Sequence, residues 1–232
     1  MENKTQGVLY IVPTPIGNLE DVTFRAIRIL QNVDLVLCED TSVTQRLFNH
    51  YEIDTPTSVF FAQTKLKNVE KIMKMLEEGN KIALVSDAGT PTISDPGVLL
   101  VDKIKRELPE VQVIALPGAS ALTTALSASG ISSAQFVFLG FLPHKKGRET
   151  LFKEICGSKR TIAFYESVHR IEKTLDSLAE CLPEDRQMVV ARELTKIFEE
   201  VIRGTAVEVR NYFAKKKDKI RGEFVVIVEG NK

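Results

Sequence analysis

Residues 82–97 read Ile82-Ala83-Leu84-Val85-Ser86-Asp87-Ala88-Gly89-Thr90-Pro91-Thr92-Ile93-Ser94-Asp95-Pro96-Gly97. The first four form an apolar run typical of a buried strand, and most of the residues that follow are typical of loops. The glycines of the loop open backbone angles that other residues avoid, while its prolines fix φ, so the loop has one preferred shape. Because ligands of open α/β sheets bind outside the carboxyl ends of strands, the stretch predicts a ligand-binding loop, with a rigid surface turn as the alternative.

The composition is that of a globular protein without an overall charge. Its 232 residues include 31 lysines and arginines and 31 aspartates and glutamates, so any attraction to nucleic acid has to come from local basic patches. The cysteines, Cys38, Cys156 and Cys181, lie far apart, which predicts neither a disulfide framework nor a zinc site and favours a reducing compartment. No leader-like segment and no run near the roughly 20 apolar residues of a membrane span is present, so we expect a soluble, cytoplasmic protein with no membrane partner.

The first half of the chain alternates strand-like apolar runs with helical patterns, which predicts a parallel, doubly wound sheet. Two further turns, residues 13–18 and 117–121, follow predicted strands in the same way as the loop after residue 85. Since the carboxyl ends of parallel strands meet at one edge, these three loops are expected to line a single crevice. The predicted strands are 7–12, 33–38, 58–61, 82–85 and 111–115.

The sequence of the second half of the chain predicts a mixed sheet, because two of its strand patterns follow each other without a helix between them. Its predicted strands are 135–143, 160–165, 187–191, 199–203 and 224–228. The sequence therefore predicts an α/β protein of two domains, an N-terminal domain over 1–117 with a mostly parallel sheet and a C-terminal domain over 118–232 with a mixed sheet.

Three side chains are candidates for proton transfer: Asp95 in the loop after residue 85, and Glu166 and His169 in the segment Tyr165-Glu166-Ser167-Val168-His169-Arg170. That segment joins a predicted strand to a predicted helix, so its polar side chains also fit a helix-capping role. The charged segment 192–196 likewise fits a surface ion pair. No Gly-x-Ser-x-Gly turn and no metal-ligand spacing occurs, so the pattern favours neither a serine hydrolase nor a metal enzyme.

Several motifs stand together in the order of one family. The chain closely resembles the cytidine 2′-O-methyltransferases of small-subunit ribosomal RNA, a family within the tetrapyrrole methylase fold, over residues 8–230. The motifs that carry the resemblance are Val12-Pro13-Thr14-Pro15-Ile16-Gly17-Asn18-Leu19-Glu20-Asp21, the stretch 86–97, Pro117-Gly118-Ala119-Ser120-Ala121, Gly140-Phe141-Leu142-Pro143, the segment 165–170, and Arg192-Glu193-Leu194-Thr195-Lys196.

The resemblance implies a homodimer that binds S-adenosylmethionine in a cleft between its two α/β domains and acts on 16S ribosomal RNA of the small ribosomal subunit. Tetrapyrrole-making and diphthine-making members of the wider fold family have Gly-Asp-Pro where this chain has Gly89-Thr90-Pro91, so a threonine replaces their acidic residue. Carried over by position, the cofactor contacts are Pro13, Thr14, Pro15, Ile16, Asp87, Gly89, Thr90, Ile93, Gly118, Ala119, Ser120, Phe164, Tyr165, Ala191 and Phe224.

Methyl transfer from a sulfonium requires alignment and removal of a proton, and no metal. A ribose 2′-hydroxyl needs a general base, for which Glu166, His169 and Asp95 all remain open. The expected phosphate contacts are Lys145, Lys146, Arg148, Arg192 and Lys196, together with the basic run 215–221. A tetrapyrrole-type small-molecule methyltransferase is the alternative activity, and a non-catalytic RNA-binding module is a third hypothesis.

Overall fold

The computed structural model describes residues 6–61, 66–95 and 97–231. The chain divides into two compact units, the first ending at Ser120 and the second beginning at Ala121, whereas the sequence predicts a boundary after residue 117. Pro96 of the central loop lies outside the described residues. We describe each unit by itself.

Among the described residues, the first unit contains a five-stranded sheet in the order β3-β2-β4-β1-β5. All of its neighbouring strands are parallel, which confirms the sheet type predicted from the uninterrupted apolar runs. The strands are β1 (Val8–Ile11), β2 (Leu35–Cys38), β3 (Thr57–Val59), β4 (Lys81–Leu84) and β5 (Gln112–Ala115).

Helices cover both faces of this sheet, as the doubly wound prediction requires. Leu30 and Phe48 pack on one face, and Leu76 and Ile104 pack on the other. The side chain of Asp40 caps the second helix, whereas Thr23 caps the first. The helices are α1 (Phe24–Leu30) and α2 (Thr41–His50) on the first face, and α3 (Leu66–Glu77) and α4 (Val98–Glu107) on the second.

The described residues of the second unit form a mixed five-stranded sheet in the order β6-β7-β10-β8-β9, which confirms the second sheet prediction. β6 and β7 are parallel, and the remaining pairs are antiparallel. The elements are α5 (Ala121–Ser129), β6 (Phe136–Phe141), α6 (Arg148–Gly157), β7 (Thr161–Ser167), α7 (Ile171–Cys181), β8 (Gln187–Arg192), β9 (Glu200–Thr205), α8 (Ala206–Lys215) and β10 (Glu223–Val228).

The faces of this second sheet are covered unequally. Helices α6, α7 and α8 bury one face in a core that includes Leu175 and Phe213. Helix α5 packs against β8, β9 and β10. Side chains that alternate along a strand therefore point either to the three-helix core or away from it.

The prediction that the cysteines form no disulfide is wrong. Cys156 at the end of α6 and Cys181 at the end of α7 are joined by a disulfide, with Cα atoms 6.1 Å apart, while Cys38 is buried and free. The pairing joins residues 25 positions apart because α6 and α7 pack side by side in the same core. Within the described residues, none of the helices has the length and apolarity needed to cross a bilayer.

Candidate functional site

The loops of interest in the first unit lie at the carboxyl edge of its parallel sheet. The chain leaving β1 continues to β2, on the far side of β4, and the chain leaving β4 continues to β5, on the far side of β1. The edge between β1 and β4 is therefore the switch point at which α/β sheets bind ligands.

Two of these loops are joined by backbone hydrogen bonds. The amide of Thr14 donates to the carbonyl of Gly89, and the amide of Gly89 donates back to the carbonyl of Thr14, both at 2.9 Å. The Thr14 hydroxyl also donates to the carbonyl of Ser86 at 3.0 Å. Gly89 has a φ of +80°, a conformation that side chains with a Cβ rarely adopt, so the bridge depends on a glycine.

The third loop is held against the first two. The Thr90 hydroxyl donates to the carbonyl of Ala119 at 3.0 Å. A Cβ added at Gly118 would lie 2.6 Å from Cβ of Pro13, so the backbone of Gly118 approaches the Pro13 ring more closely than a larger residue permits. The structure thus brings together the three loops that the sequence predicts to converge, and Thr90 serves as a tie between two of them.

The loop after β4 contains local backbone strain. Thr92 and Ser94 have φ values of 74° and 66°, in the left-handed region that is uncommon for residues other than glycine and most unusual for the β-branched Thr92. Ile93, between them, exposes 45% of its surface. Such strain, which costs about 1–3 kcal/mol per residue, is concentrated at ligand-binding and catalytic loops.

Carboxylates gather beside the same loops. Burial raises the pKa of Glu39, and the charges of Asp95 and Asp87 raise it further. Burial also raises the pKa of Asp95, which a hydrogen bond with Ser86 opposes and the charge of Asp87 reinforces. An oxygen of Asp87 accepts a 3.0 Å hydrogen bond from the amide of Asp40. The four residues form no metal site, since no suitable group of His, Cys, Asp and Glu occurs in the part of the chain that the structure describes.

Glu39 is the residue that sequence reasoning missed. The sequence marks Glu39 only as part of an acidic turn before α2. In the fold it follows β2, and β2 is the direct neighbour of β4, so its carboxylate lies near the loop that begins at Ser86. An acidic residue at the end of a predicted parallel strand was the available signal.

The remaining cofactor candidates of the first unit differ in how much they expose. Asp87, Ile93 and Gly118 are exposed and accessible to a ligand. The others are buried or half-buried and support the conformation of the loops. They are Pro13, Thr14, Pro15, Ile16, Gly89, Thr90, Ala119 and Ser120.

The cofactor candidates of the second unit lie mostly inside its sheet. Phe164 and Phe224 belong to the core under α6–α8, so their side chains are occupied by packing and only their backbones are suited to contact a ligand. Ala191 is buried in the strand next to β10. Tyr165 is half-buried, with its ring 4.9 Å from Phe138 and 5.3 Å from Phe141.

Glu166 is fully engaged by its neighbours. Its side chain is buried, with one oxygen 2.8 Å from Arg170 and the other 3.6 Å from Arg148. The Thr174 hydroxyl and the Ser167 amide donate to it at 2.7 and 2.9 Å. Arg170 in turn donates to the carbonyl of Leu142, so Glu166 fixes the loop after β6 to the end of β7. His169 is exposed in the turn between β7 and α7.

The predicted phosphate contacts fall into two groups. Lys145 and Lys146 are exposed. Arg148 contacts Glu166, and Arg192 is buried and donates to the carbonyl of Lys219. Lys196 pairs with Glu193 at 3.0 Å and Glu223 at 3.1 Å, an arrangement that favours a structural role.

The chain belongs to the family of tetrapyrrole (corrin/porphyrin) methylases, whose model matches residues 8–210. It is 48% identical over 228 residues to the ribosomal RNA small subunit methyltransferase I of Bacillus subtilis (strain 168), covering 97% of this chain and 76% of that protein. The protein of the same name from Thermotoga maritima is 45% identical over 224 residues, covering 97% of this chain and 99% of its own.

The fold agrees with this family. The uroporphyrin-III C-methyl transferase of Thermus thermophilus, solved in complex with S-adenosyl homocysteine, matches with a TM-score of 0.63 and 18% identity over 96% of this chain and 97% of its own. At that identity the likeness supports the shared fold alone.

We predict that Thr90→Val lowers the free energy of unfolding by about 1 kcal/mol, because the substitution removes the hydrogen bond to Ala119 and keeps the shape of the side chain. Thr90→Ser is the matched control, since it keeps the hydroxyl. Urea unfolding measures both. Equal stability of the two variants would contradict the proposed tie between the loops.

We predict that Glu166→Gln costs about 3–5 kcal/mol of stability, because it leaves the charges of Arg148 and Arg170 without their buried partner. Glu180→Gln, at an exposed position of α7, should change stability by less than about 0.5 kcal/mol. The same urea measurement compares them. If Glu166 instead acted as a general base, Glu166→Gln would fold normally and lose only methyl transfer.

The raised pKa values of Glu39 and Asp95 predict a pH dependence of stability. The folded state binds their protons more tightly than the unfolded state, so the free energy of unfolding falls as pH rises from the unfolded values near 4 through the raised values. Glu39→Gln and Asp95→Asn should each reduce this fall. Because the charge of Asp95 raises the pKa of Glu39, the double variant should gain less stability at neutral pH than the two single variants gain in sum. Strict additivity of the two stability changes would refute the coupling.

Proposed function

We propose that the protein transfers a methyl group from S-adenosylmethionine to the 2′-hydroxyl of a cytidine in the decoding region of 16S ribosomal RNA. The observation that carries this proposal is the identity of 45–48% over 97% of the chain to two proteins named ribosomal RNA small subunit methyltransferase I. The converging loops of the first unit supply a ligand site of the kind that this activity requires.

The residues of that site fit S-adenosylmethionine by their chemistry. The cofactor carries a sulfonium and an amino group, both positive, and the carboxylates of Glu39, Asp87 and Asp95 provide negative charge beside the loops. The exposed Asp87 is suited to accept hydrogen bonds from ribose hydroxyls. When bound, the cofactor supplies the electrophilic methyl group, and the chain supplies its alignment.

Asp95 is the general base that the site favours. Its raised pKa makes it a stronger base than an ordinary aspartate, and it lies half-buried in the strained loop after β4. Glu166 is less suited, because one of its oxygens already accepts a hydrogen bond from the Ser167 amide and the other from the Thr174 hydroxyl. His169 is exposed in a turn of the second unit, and among the described residues no hydrogen bond or ion pair orients its ring. Asp95 is therefore assigned the removal of the proton from the ribose hydroxyl.

RNA binding is assigned to one edge of the second sheet. At this edge the parallel strands β6 and β7 end. The antiparallel register places the start of β10 beside the end of β7. It also places the end of β8 beside the starts of β10 and β9. Segments 142–148, 166–170, 192–200 and 215–223 lie at this edge, which we term the basic edge. They contain eleven lysines and arginines and six aspartates and glutamates, in a chain whose total charge is zero. This local excess is the electrostatic footprint expected for contact with phosphates.

The direct test is to incubate the protein with S-adenosylmethionine labelled in its methyl group and with small ribosomal subunits that lack the modification. We expect the label in 2′-O-methylcytidine after digestion of the RNA to nucleosides. Label in a base, or no label in RNA, would refute the proposal. A tetrapyrrole precursor that accepts the label while RNA does not would support the alternative, which the family name and the fold likeness motivate.

We predict that the double substitution of Lys145 and Lys146 by Ala weakens binding to small subunits and flattens its dependence on salt. Each lost phosphate contact should reduce the slope of log affinity against log salt by roughly 0.7–0.9. The control is the same double substitution at Lys67 and Lys71, exposed lysines of α3 in the other unit. Filter binding over a range of salt concentrations measures both, and calorimetry should give unchanged affinity for S-adenosylmethionine. A slope equal to that of the wild type would remove these lysines from the interface.

We also infer a homodimer in the cytoplasm, from the resemblance to the family. Sedimentation at several protein concentrations tests the dimer. The small ribosomal subunit is the proposed partner. The protein needs no metal for the proposed chemistry, so treating the protein with a chelator and removing the chelator before the assay should leave its methyl transfer unchanged.

A further inference from the structure

Two large apolar side chains project from the tip of the hairpin that joins β8 and β9. Ile197 exposes 90% of its surface and Phe198 exposes 68%. The preceding Leu194, in contrast, is buried at 7% exposure and anchors the hairpin to the unit. A pair of adjacent exposed apolar residues at a loop tip is the kind of feature that marks a contact surface.

The tip is held in a defined shape. The amide of Glu193 donates to the carbonyl of Glu223 at 3.1 Å, and the amides of Lys196 and Glu199 donate to the carbonyls of Glu193 and Lys196, both at 3.0 Å. A carboxylate oxygen of Glu199 also accepts from the amide of Thr195. Ile197 and Phe198 are therefore exposed even though hydrogen bonds within the hairpin order the tip.

The ion pairs at the base of the hairpin reinforce this shape. Lys196 bridges Glu193 and Glu223, which joins the hairpin to the start of β10. A Cβ at Gly222 would lie 1.9 Å from Oε1 of Glu193, so a glycine there makes room for the pair. Glu193 and Thr195 have positive φ values of 49° and 64°, and the unfavourable conformation of a β-branched residue is typical of a functional loop.

The surroundings of the tip identify the chemistry of its partner. The hairpin belongs to the basic edge, in which lysines and arginines outnumber acidic residues by eleven to six. Aromatic side chains set among cationic ones are the usual means by which proteins bind unpaired nucleotides, because the ring stacks on a base while the cations contact phosphates. A second copy of this chain is a poorer partner, since a two-fold contact would bring the same positive edge against itself.

We propose that Phe198 stacks on an unpaired base of the RNA substrate, with Ile197 packing against the same nucleotide or its neighbour. The inference rests on the proposed function and adds to it a residue that positions the RNA. Stacking depends on the flat face of the ring, which distinguishes it from attraction of phosphates by charge and from general apolar contact.

The test compares four variants in filter binding to assembled small ribosomal subunits. Stacking on a base contributes about 1–3 kcal/mol, so Phe198→Ala should weaken binding by about 5- to 150-fold without changing its salt dependence. Phe198→Trp should retain the affinity, whereas Phe198→Leu, which is apolar but has no ring, should lose most of it. Phe24→Ala is the matched control, because Phe24 on α1 is 93% exposed and lies in the other unit.

The outcomes separate the possibilities. Wild-type affinity of Phe198→Ala would overturn the inference, and so would full retention by Phe198→Leu, which would indicate an apolar contact without stacking. A change of sedimentation coefficient in Phe198→Ala without a change in RNA binding would identify the tip as a contact between copies, which also overturns it. If the wild type binds small subunits and Phe198→Ala does not, but neither transfers methyl groups, the inference stands and the proposed activity fails.

Discussion

Two hydrogen bonds of 2.9 Å between the backbones of Thr14 and Gly89 join the loops after β1 and β4, and the candidate site depends on them. Because they connect main-chain atoms, they require a backbone conformation, and Gly89 supplies it with a φ of +80°. The hydroxyls of Thr14 and Thr90 then extend the connection to Ser86 and Ala119. Loops from three strands are thereby held together, which leaves the exposed Asp87 and Ile93 on a fixed base.

The distribution of charge complements this geometry. The chain has no net charge, yet carboxylates gather at the loops of the first unit and cations exceed acids at the basic edge of the second. Negative charge attracts a cationic methyl donor, and positive charge attracts RNA. A chain without net charge can therefore bind both substrates of the proposed reaction through local patches of opposite sign. Glu166 organises the basic edge from within, since it fixes Arg148 and Arg170 and through them the loop after β6.

The success of the fold prediction has a local physical basis. Parallel strands that are covered on both faces need continuous apolar runs, and the runs ending near residues 12, 38, 85 and 115 supply them. The cap at Asp40 is likewise local, because its side chain bonds to an amide two residues away. The disulfide is not local, since 25 residues separate Cys156 from Cys181 and only the packing of α6 against α7 brings them together. Sequence spacing therefore gave no sign of it.

The sequence by itself determined the two sheet types, the strand-end loops and the family, because each depends on apolar periodicity or on motifs of consecutive residues. Only the tertiary structure decided the state of individual side chains. In the folded chain Glu39 lies beside Asp95, and Phe164 and Phe224 pack within a hydrophobic core. Glu166 forms ion pairs with two arginines. Burial and ion pairing depend on neighbours contributed by distant segments, and they decide which groups of the chain remain accessible to a ligand.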